Sequence, residues 1–193
     1  PYCVYTPGLS GISIDEEYKT KAVVLKSATR GDSNLYLRNI LLLLKEKTPS
    51  WDKFMKSVQR FFPEYSINVE FSADTDETID AYVEMKDEED KIIKLPIDTM
   101  GTSALQILQI LSYVYYFNPP MLILDEPDTH LHPDNQRLLI SLLDEISLET
   151  GMQILIATHS RHIIDEARDI ASFFWMQNGI LNKKIISDVD GSQ

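Results

Sequence analysis

Met121-Leu122-Ile123-Leu124-Asp125-Glu126-Pro127 decides the fold. Four consecutive apolar residues are followed by two adjacent carboxylates and a proline. A short apolar run bounded by breakers reads as a strand covered on both faces, the kind found in parallel sheets. Asn118-Pro119-Pro120 ends the preceding segment, a helix over 104–117 with Leu105, Leu108, Ile110 and Leu111 facing inward. The carboxylates emerge at the C-terminal end of the strand, where open α/β sheets bind ligands. A first carboxylate there can hold Mg²⁺, directly or through water, because that ion prefers oxygen ligands and keeps much of its hydration. The second can orient and deprotonate an attacking water. Two acids past a strand also suit a helix cap or a solvated loop, so alone the pattern leaves both readings open.

Downstream, Pro133 suits the first turn of a helix whose inner stripe is Leu139, Leu142, Leu143 and Ile146. Gly151 breaks the chain before a second buried strand, Gln153–Ala157, which leads into Thr158-His159-Ser160. If the two strands are parallel neighbours, His159 reaches the same sheet edge as Asp125 and Glu126. A histidine there can donate to a γ-phosphate oxygen and hold a water; it can also cap the short helix expected over 161–167. Strands at 172–176 and 180–186 follow, joined through Asn178-Gly179, a strong hairpin turn.

Upstream, the apolar period is two. Ile67, Val69 and Phe71 alternate with polar residues, as do Ile79, Ala81, Val83 and Met85. A run at 91–95 completes an antiparallel meander with its tightest turn at 87–90 and one face buried. Before it come two helices. Asp32 or Ser33 is the expected N-cap of the first, with Leu37, Ile40, Leu41 and Leu44 at helical spacing and Lys45 and Lys47 near its end. Ser50 is expected to cap the second, with the stripe Trp51, Phe54, Met55, Val58, Phe61 and Phe62, and Pro63 stops it. Residues 1–31 read as irregular, punctuated by Pro7-Gly8 and Gly11, with a short apolar run at 22–26.

The chain has 193 residues, 44% apolar and 25% charged, enough for one well-buried core. No apolar run approaches the roughly 20 residues needed to cross a bilayer; the longest spans 40–44. With no basic-then-apolar leader and a single cysteine, Cys3, a cytoplasmic location without membrane contact is expected. The net charge of −12 argues against a surface that binds nucleic acid over its whole area. Ten carboxylates lie between Glu70 and Asp90 against one lysine, Lys86, and read as a solvated hairpin face. The chain opens on Pro1 and closes on Asp188-Val189-Asp190-Gly191-Ser192-Gln193; both ends look cut, and a longer parent protein is expected.

Asp125-Glu126-Pro127, Thr129-His130-Leu131-His132 and Thr158-His159-Ser160 together resemble the Walker B, D-loop and switch-histidine elements of ABC-type ATPases. Leu131-His132-Pro133 resembles the OLD-like and RecF-like branch, near the structural-maintenance-of-chromosomes (SMC) heads. Phe61-Phe62-Pro63, the meander and Thr99-Met100-Gly101-Thr102 occupy the places those heads give to their second lobe and signature loop. The resemblance covers 61–186 well and 5–44 more loosely. It implies ATP and Mg²⁺ as cofactors. Asp125 would position Mg²⁺, Glu126 would serve as general base, and His159 would sense the γ-phosphate. Thr99, Gly101 and Thr102 would touch nucleotide bound to the opposite copy, with Ser103 a rival for the signature hydroxyl. Thr129 and His130 would also bind nucleotide, on a D-loop (129–132) that would lie at the head-to-head contact. No G-x-x-x-x-G-K-[ST] occurs, and Pro7-Gly8-Leu9-Ser10-Gly11 lacks the lysine and the spacing. A preceding lobe of the complete protein would supply the P-loop. His130 and His132, with Asp128 and His159, also offer metal-ligand types, but the D-loop position accounts for both histidines without a metal.

The expected fold class is α/β, a mostly parallel sheet flanked by helices with an antiparallel β meander and a helical arm. The expected division is 1–63 irregular segment and arm, 64–98 meander, 99–187 ATPase lobe and 188–193 tail. The expected function is ATP binding and hydrolysis coupled to association of two heads, in a DNA-related or defence system, with DNA the candidate further partner. The alternatives are an ATP-gated regulatory or structural lobe, and the ATPase part of an OLD-like nuclease. The acids between 70 and 90 lack the strand-end cluster with a companion lysine that a nuclease site needs.

Overall fold

The structure, a computed structural model, describes residues 3–6, 12–13, 15–28, 33–87 and 89–184. Its central element is a parallel sheet of three strands, β1 (Cys3–Thr6), β5 (Met121–Asp125) and β6 (Gln153–Ala157), in the order β1-β5-β6. Val4 pairs with Leu122 and Leu122 with Ile154, so one face carries Val4, Thr6, Leu122, Leu124, Ile154 and Ile156. Val4, Leu122 and Leu124 on that face are fully buried.

The other face is open. Tyr5 and Met121 are exposed, Ile123 is half-buried, and Leu155 is 56% exposed. The expectation that strands β5 and β6 are buried on both faces is therefore corrected. Ile154 and Ile156 of β6 pack against the core, but Leu155 lies on the face that no described element covers.

Residues 1–31 are not irregular throughout. Cys3–Thr6 forms β1, and Lys21–Ala28 forms helix α1. A four-residue strand is too short to show a period, and α1 has no clear apolar stripe. The Pro7-to-Gly11 turn and the Asp32 cap lie outside the described residues. A short 3-10 turn, Ser33–Tyr36, leads into α2 (Leu37–Lys45) without a side-chain cap from its own segment. The cap comes from far away: Glu16, 4% exposed, accepts from the backbone N–H of Arg38 at 2.9 Å and of Asn39 at 2.8 Å. Helix α3 (Thr48–Phe61) starts two residues before Ser50, with Pro49 in its first turn, so Ser50 lies inside the helix rather than capping it.

The meander is β2 (Ser66–Glu70), β3 (Asp80–Lys86) and β4 (Ile92–Pro96), antiparallel in that order. Ile67, Val69, Ala81 and Val83 form its buried face, and Asp90, at φ +63°, makes the turn before β4. Helix α4 (Thr102–Phe117) is buried almost all round, Gln106, Gln109 and Ser112 included, rather than along one inward stripe. It runs through the centre of the molecule and contacts α2, α3 and β1, which explains its apolar content. Asn118 ends it in the left-handed conformation.

Helix α5 (Pro133–Thr150) and the short α6 (Arg161–Glu166) flank β6. A hairpin of β7 (Phe173–Gln177) and β8 (Ile180–Lys184) follows, turning on Asn178 and Gly179, both at positive φ. No helix among the described residues is long and apolar enough to cross a membrane. The observed class is α/β, a parallel sheet flanked by helices with an antiparallel meander.

Candidate active site

The parallel register aligns Asp125 with Ala157, so the loops that follow β5 and β6 leave the sheet side by side. Asp125 points to the open face, the face of Tyr5, because both are odd-numbered positions in register. Tyr5 sits diagonally across from Asp125, and its hydroxyl donates to Asp125 Oδ2 at 3.0 Å. That hydrogen bond holds the Tyr5 phenol above its ordinary pKa, with slight burial and the carboxylate charge acting in the same direction. Nothing in the sequence singles out Tyr5, because its strand is so short.

Glu126 takes a left-handed backbone conformation, φ +48°, which costs a residue with a Cβ about 1–2 kcal/mol. Its N–H donates to Ala157 O at 2.8 Å, extending the β5–β6 ladder one step past the strand. The bend re-aims the side chain across the gap, and Glu126 Oε1 lies 3.3 Å from His159 Nε2. The His159 side chain is 94% exposed and the Glu126 side chain 37%, so the pair faces outward at the sheet edge. Backbone held in this region by its surroundings is found preferentially at functional sites.

Residues 127–130 form the turn that follows. Thr129 N–H donates to Glu126 O at 3.1 Å and Leu131 N–H to Asp128 O at 3.0 Å. His130, exposed, stands at φ +66°. His132 caps α5, its Nδ1 accepting from Asp134 N–H at 3.3 Å. From the other side, Gln106 of α4, 2% exposed, donates to Pro127 O at 3.1 Å.

Thr99, Gly101 and Thr102 stand where α4 begins. Thr99 ends a 3-10 turn, Ile97–Thr99, with its hydroxyl donating to Pro96 O at 2.7 Å. Gly101 is the N-cap of α4 at φ −61°, and a Cβ there would meet nothing within 4 Å. No hydrogen bond among the described residues joins these three to Asp125, Glu126 or His159. The link lies one turn further on, through Gln106. The turn is held from behind by Arg38, 4% exposed, whose guanidinium donates to Asp98 Oδ1 and to Ser13 O.

The donor set suits Mg²⁺ better than a closed protein cage. Among the described residues no group of three or more His, Cys, Asp or Glu side chains converges. Asp125 Oδ1 has no hydrogen-bond partner there, and Asp125 is exposed. One free carboxylate oxygen at an open edge is what Mg²⁺ needs when phosphate oxygens and water complete its shell.

Residues 12–164 match the family model described as AAA ATPase domain. The chain belongs to the AAA ATPase domain family. The family match takes in the meander, α4, β5, β6 and most of α6, and so Asp125, Glu126 and His159, while β1 with Tyr5 lies before it. This AAA ATPase domain chain is 45% identical over 51 residues to the cell division ATP-binding protein FtsE of Streptococcus pneumoniae, covering 26% of this chain and 22% of that protein. It is 33% identical over 78 residues to FtsE of Mycobacterium tuberculosis, covering 40% of this chain and 33% of that one. The chain thus spans between about a fifth and a third of these relatives.

Among solved structures, one from work on ATP-driven dimerisation and DNA-stimulated activation of SMC ATPases superposes at a TM-score of 0.55, with 14% identity, over 83% of this chain and 99% of that chain. The SMC head domain with a coiled coil and joint of Pyrococcus yayanosii superposes at 0.51, with 16% identity, over 88% of this chain and 33% of that one. These likenesses are likenesses of fold.

Proposed function

We propose that the complete protein binds and hydrolyses ATP, using Asp125, Glu126 and His159 as one site. The reading is supported above all by the 3.3 Å approach of Glu126 to His159 at the C-terminal edge of two parallel strands. In this reading Glu126 takes a proton from the attacking water, and His159 holds that water and donates to a γ-phosphate oxygen. Asp125, held by Tyr5, presents its free oxygen for Mg²⁺. When bound, Mg²⁺ supplies positive charge beside the transferred phosphoryl oxygens. Thr99, Gly101 and Thr102 complete the nucleotide site of a second copy, and Thr129 and His130 lie where the two heads meet.

The phosphate-cradling lobe comes from elsewhere in the complete protein. Support for this is physical: the face bearing Tyr5, Met121 and Leu155 is apolar and open, and the outer edge of β6 has no strand partner among the described residues. Parallel sheets are ordinarily covered on both faces. We place the protein in the OLD-like, RecF-like branch on Leu131-His132-Pro133 and assign it DNA-related work in the cytoplasm. The fold likeness to SMC heads, one of them studied for ATP-driven dimerisation and DNA-stimulated activation, supports that assignment.

The test is self-association of full-length protein carrying Glu126→Gln, followed by light scattering. The neutral amide removes repulsion with the γ-phosphate, so the mass should double on adding ATP and Mg²⁺. An unchanged mass, with ATP bound, would contradict the head-to-head reading.

A further inference from the structure

Gln136 lies in the first turns of α5 and is 8% exposed. Its Nε2 donates to Leu131 O at 2.9 Å and reaches Asp128 O at 3.4 Å. A carbonyl can only accept, so the amide nitrogen must face Leu131 and Oε1 must face the opposite way. There Oε1 accepts from Ser160 Oγ at 2.5 Å. The same two loops are joined a second time by Thr158, whose hydroxyl donates to Asp128 Oδ1. The residues on either side of His159 are therefore each tied to the 128–131 turn.

Satisfying the carbonyls just before a helix is a local task that many side chains could perform. The bond to Ser160 is different, because it crosses to another loop 24 positions away and uses the other half of the same buried amide. We propose that Gln136 is a positioning residue that clamps the 128–131 turn to the Thr158–Ser160 loop and so sets where His159 stands relative to Glu126. The inference rests on reading Glu126 and His159 as the hydrolytic pair. It deepens that reading by giving the turn at the head-to-head contact a mechanical route to the histidine. Displacement of Asp128 or Leu131 is carried through Gln136 Oε1 and Thr158 Oγ1 to both neighbours of His159.

The experiment uses the full-length protein with Gln136→Leu, Gln136→Glu, Ser160→Ala and the Gln136→Leu, Ser160→Ala double variant. Gln136→Glu keeps the shape and can still accept from Ser160, but sets an oxygen against the Leu131 carbonyl. Ser160 Oγ also accepts from His162 N–H at 3.2 Å and Ile163 N–H at 3.4 Å, so Ser160→Ala alone weakens the start of α6 as well. Hydrogen exchange is followed in peptides spanning 128–132 and 158–161, with the meander as an internal control. Gln136→Leu and Gln136→Glu should speed exchange about tenfold in both peptides together, leaving the meander unchanged. Adding Ser160→Ala to Gln136→Leu should speed the 128–132 peptide no further, because the link is already cut, and should add in 158–161 only what the lost α6 cap contributes. In turnover, kcat should fall about tenfold while KM for ATP moves less than about twofold. Faster exchange confined to 128–132 in the Gln136 variants, or additive speeding of the 128–132 peptide in the double variant, would overturn the clamp. Failure of the hydrolytic reading would show separately, as turnover indifferent to Glu126→Gln, while the exchange results still decide whether the two loops are clamped.

Discussion

His159 Nε2 stands 3.3 Å from Glu126 Oε1, although 33 positions separate the two residues in the chain. Two local facts produce this. The strands before them are parallel neighbours in register, and Glu126 turns back through a left-handed conformation instead of continuing outward. Among the described residues neither side chain has another hydrogen-bond or ion-pair partner, and both stand open at the sheet edge.

A chain of these 193 residues alone should release phosphate from ATP at least about a hundredfold more slowly than the full-length protein. It has no G-x-x-x-x-G-K-[ST], hence no nest of backbone N–H groups or lysine for the phosphates. Phosphate release under identical Mg²⁺ and ATP concentrations measures this. Comparable rates would mean that the phosphates are held by residues other than a P-loop.

Tyr5 should titrate above the ordinary tyrosine value, because ionising it breaks its bond to Asp125 and sets two negative charges together. A raised folded-state pKa means that this stabilisation is complete below the unfolded value, near 10, and is lost as pH rises through the folded one. Asp125→Asn should bring the titration down. Carbon-13 labelled tyrosine, with Tyr5→Phe to assign the signal, follows it directly; a midpoint indifferent to Asp125→Asn would break the Tyr5–Asp125 link.

Arg38→Met should cost about 2–4 kcal/mol in urea unfolding, since it strands Asp98 and the Ser13 carbonyl behind the Thr99–Gly101 turn. Exchange at the amides of Met100 and Ala104, which bond to Ile97 O and Gly101 O, should quicken more than in the meander. Equal quickening everywhere would make Arg38 a global strut only.

Leu122→Ala should lower stability by about 2–5 kcal/mol with little change in the urea m-value, because Leu122 is fully buried beneath the strand that carries Asp125. A loss below 1 kcal/mol, roughly the cost of a surface change, would show that this face of the sheet is loosely packed.

The sequence was most legible where period and punctuation agreed. The apolar run before Asp125, the alternation through Ile67 and Val83, and Asn178-Gly179 each announced their element, and the first of these led to His159. What it hid was tertiary. Glu16 caps α2 from more than 20 positions away, whereas local spacing points to Asp32 or Ser33. Tyr5 lies on a strand too short to show alternation, and its role exists only once β1 pairs with β5. The burial of α4 on every side reads in sequence as a single stripe, because Gln106, Gln109 and Ser112 look like a solvent face until their surroundings are known. The strand at Leu155 shows the reverse: an apolar run predicts burial on both faces, and one face of the sheet is open among the described residues.

The central claim is that Asp125 and Glu126 divide metal holding from proton removal, and steady-state ATP hydrolysis by the full-length protein tests it most directly. Glu126→Gln should lower kcat by about 10²–10⁴-fold while ATP binding persists, since the amide keeps the shape but cannot accept the water's proton. Asp125→Asn should instead shift the Mg²⁺ concentration needed for half-maximal rate and weaken nucleotide binding with it. Hydrolysis at the parental rate by both variants, with unchanged Mg²⁺ dependence, would make the two carboxylates structural and contradict the account.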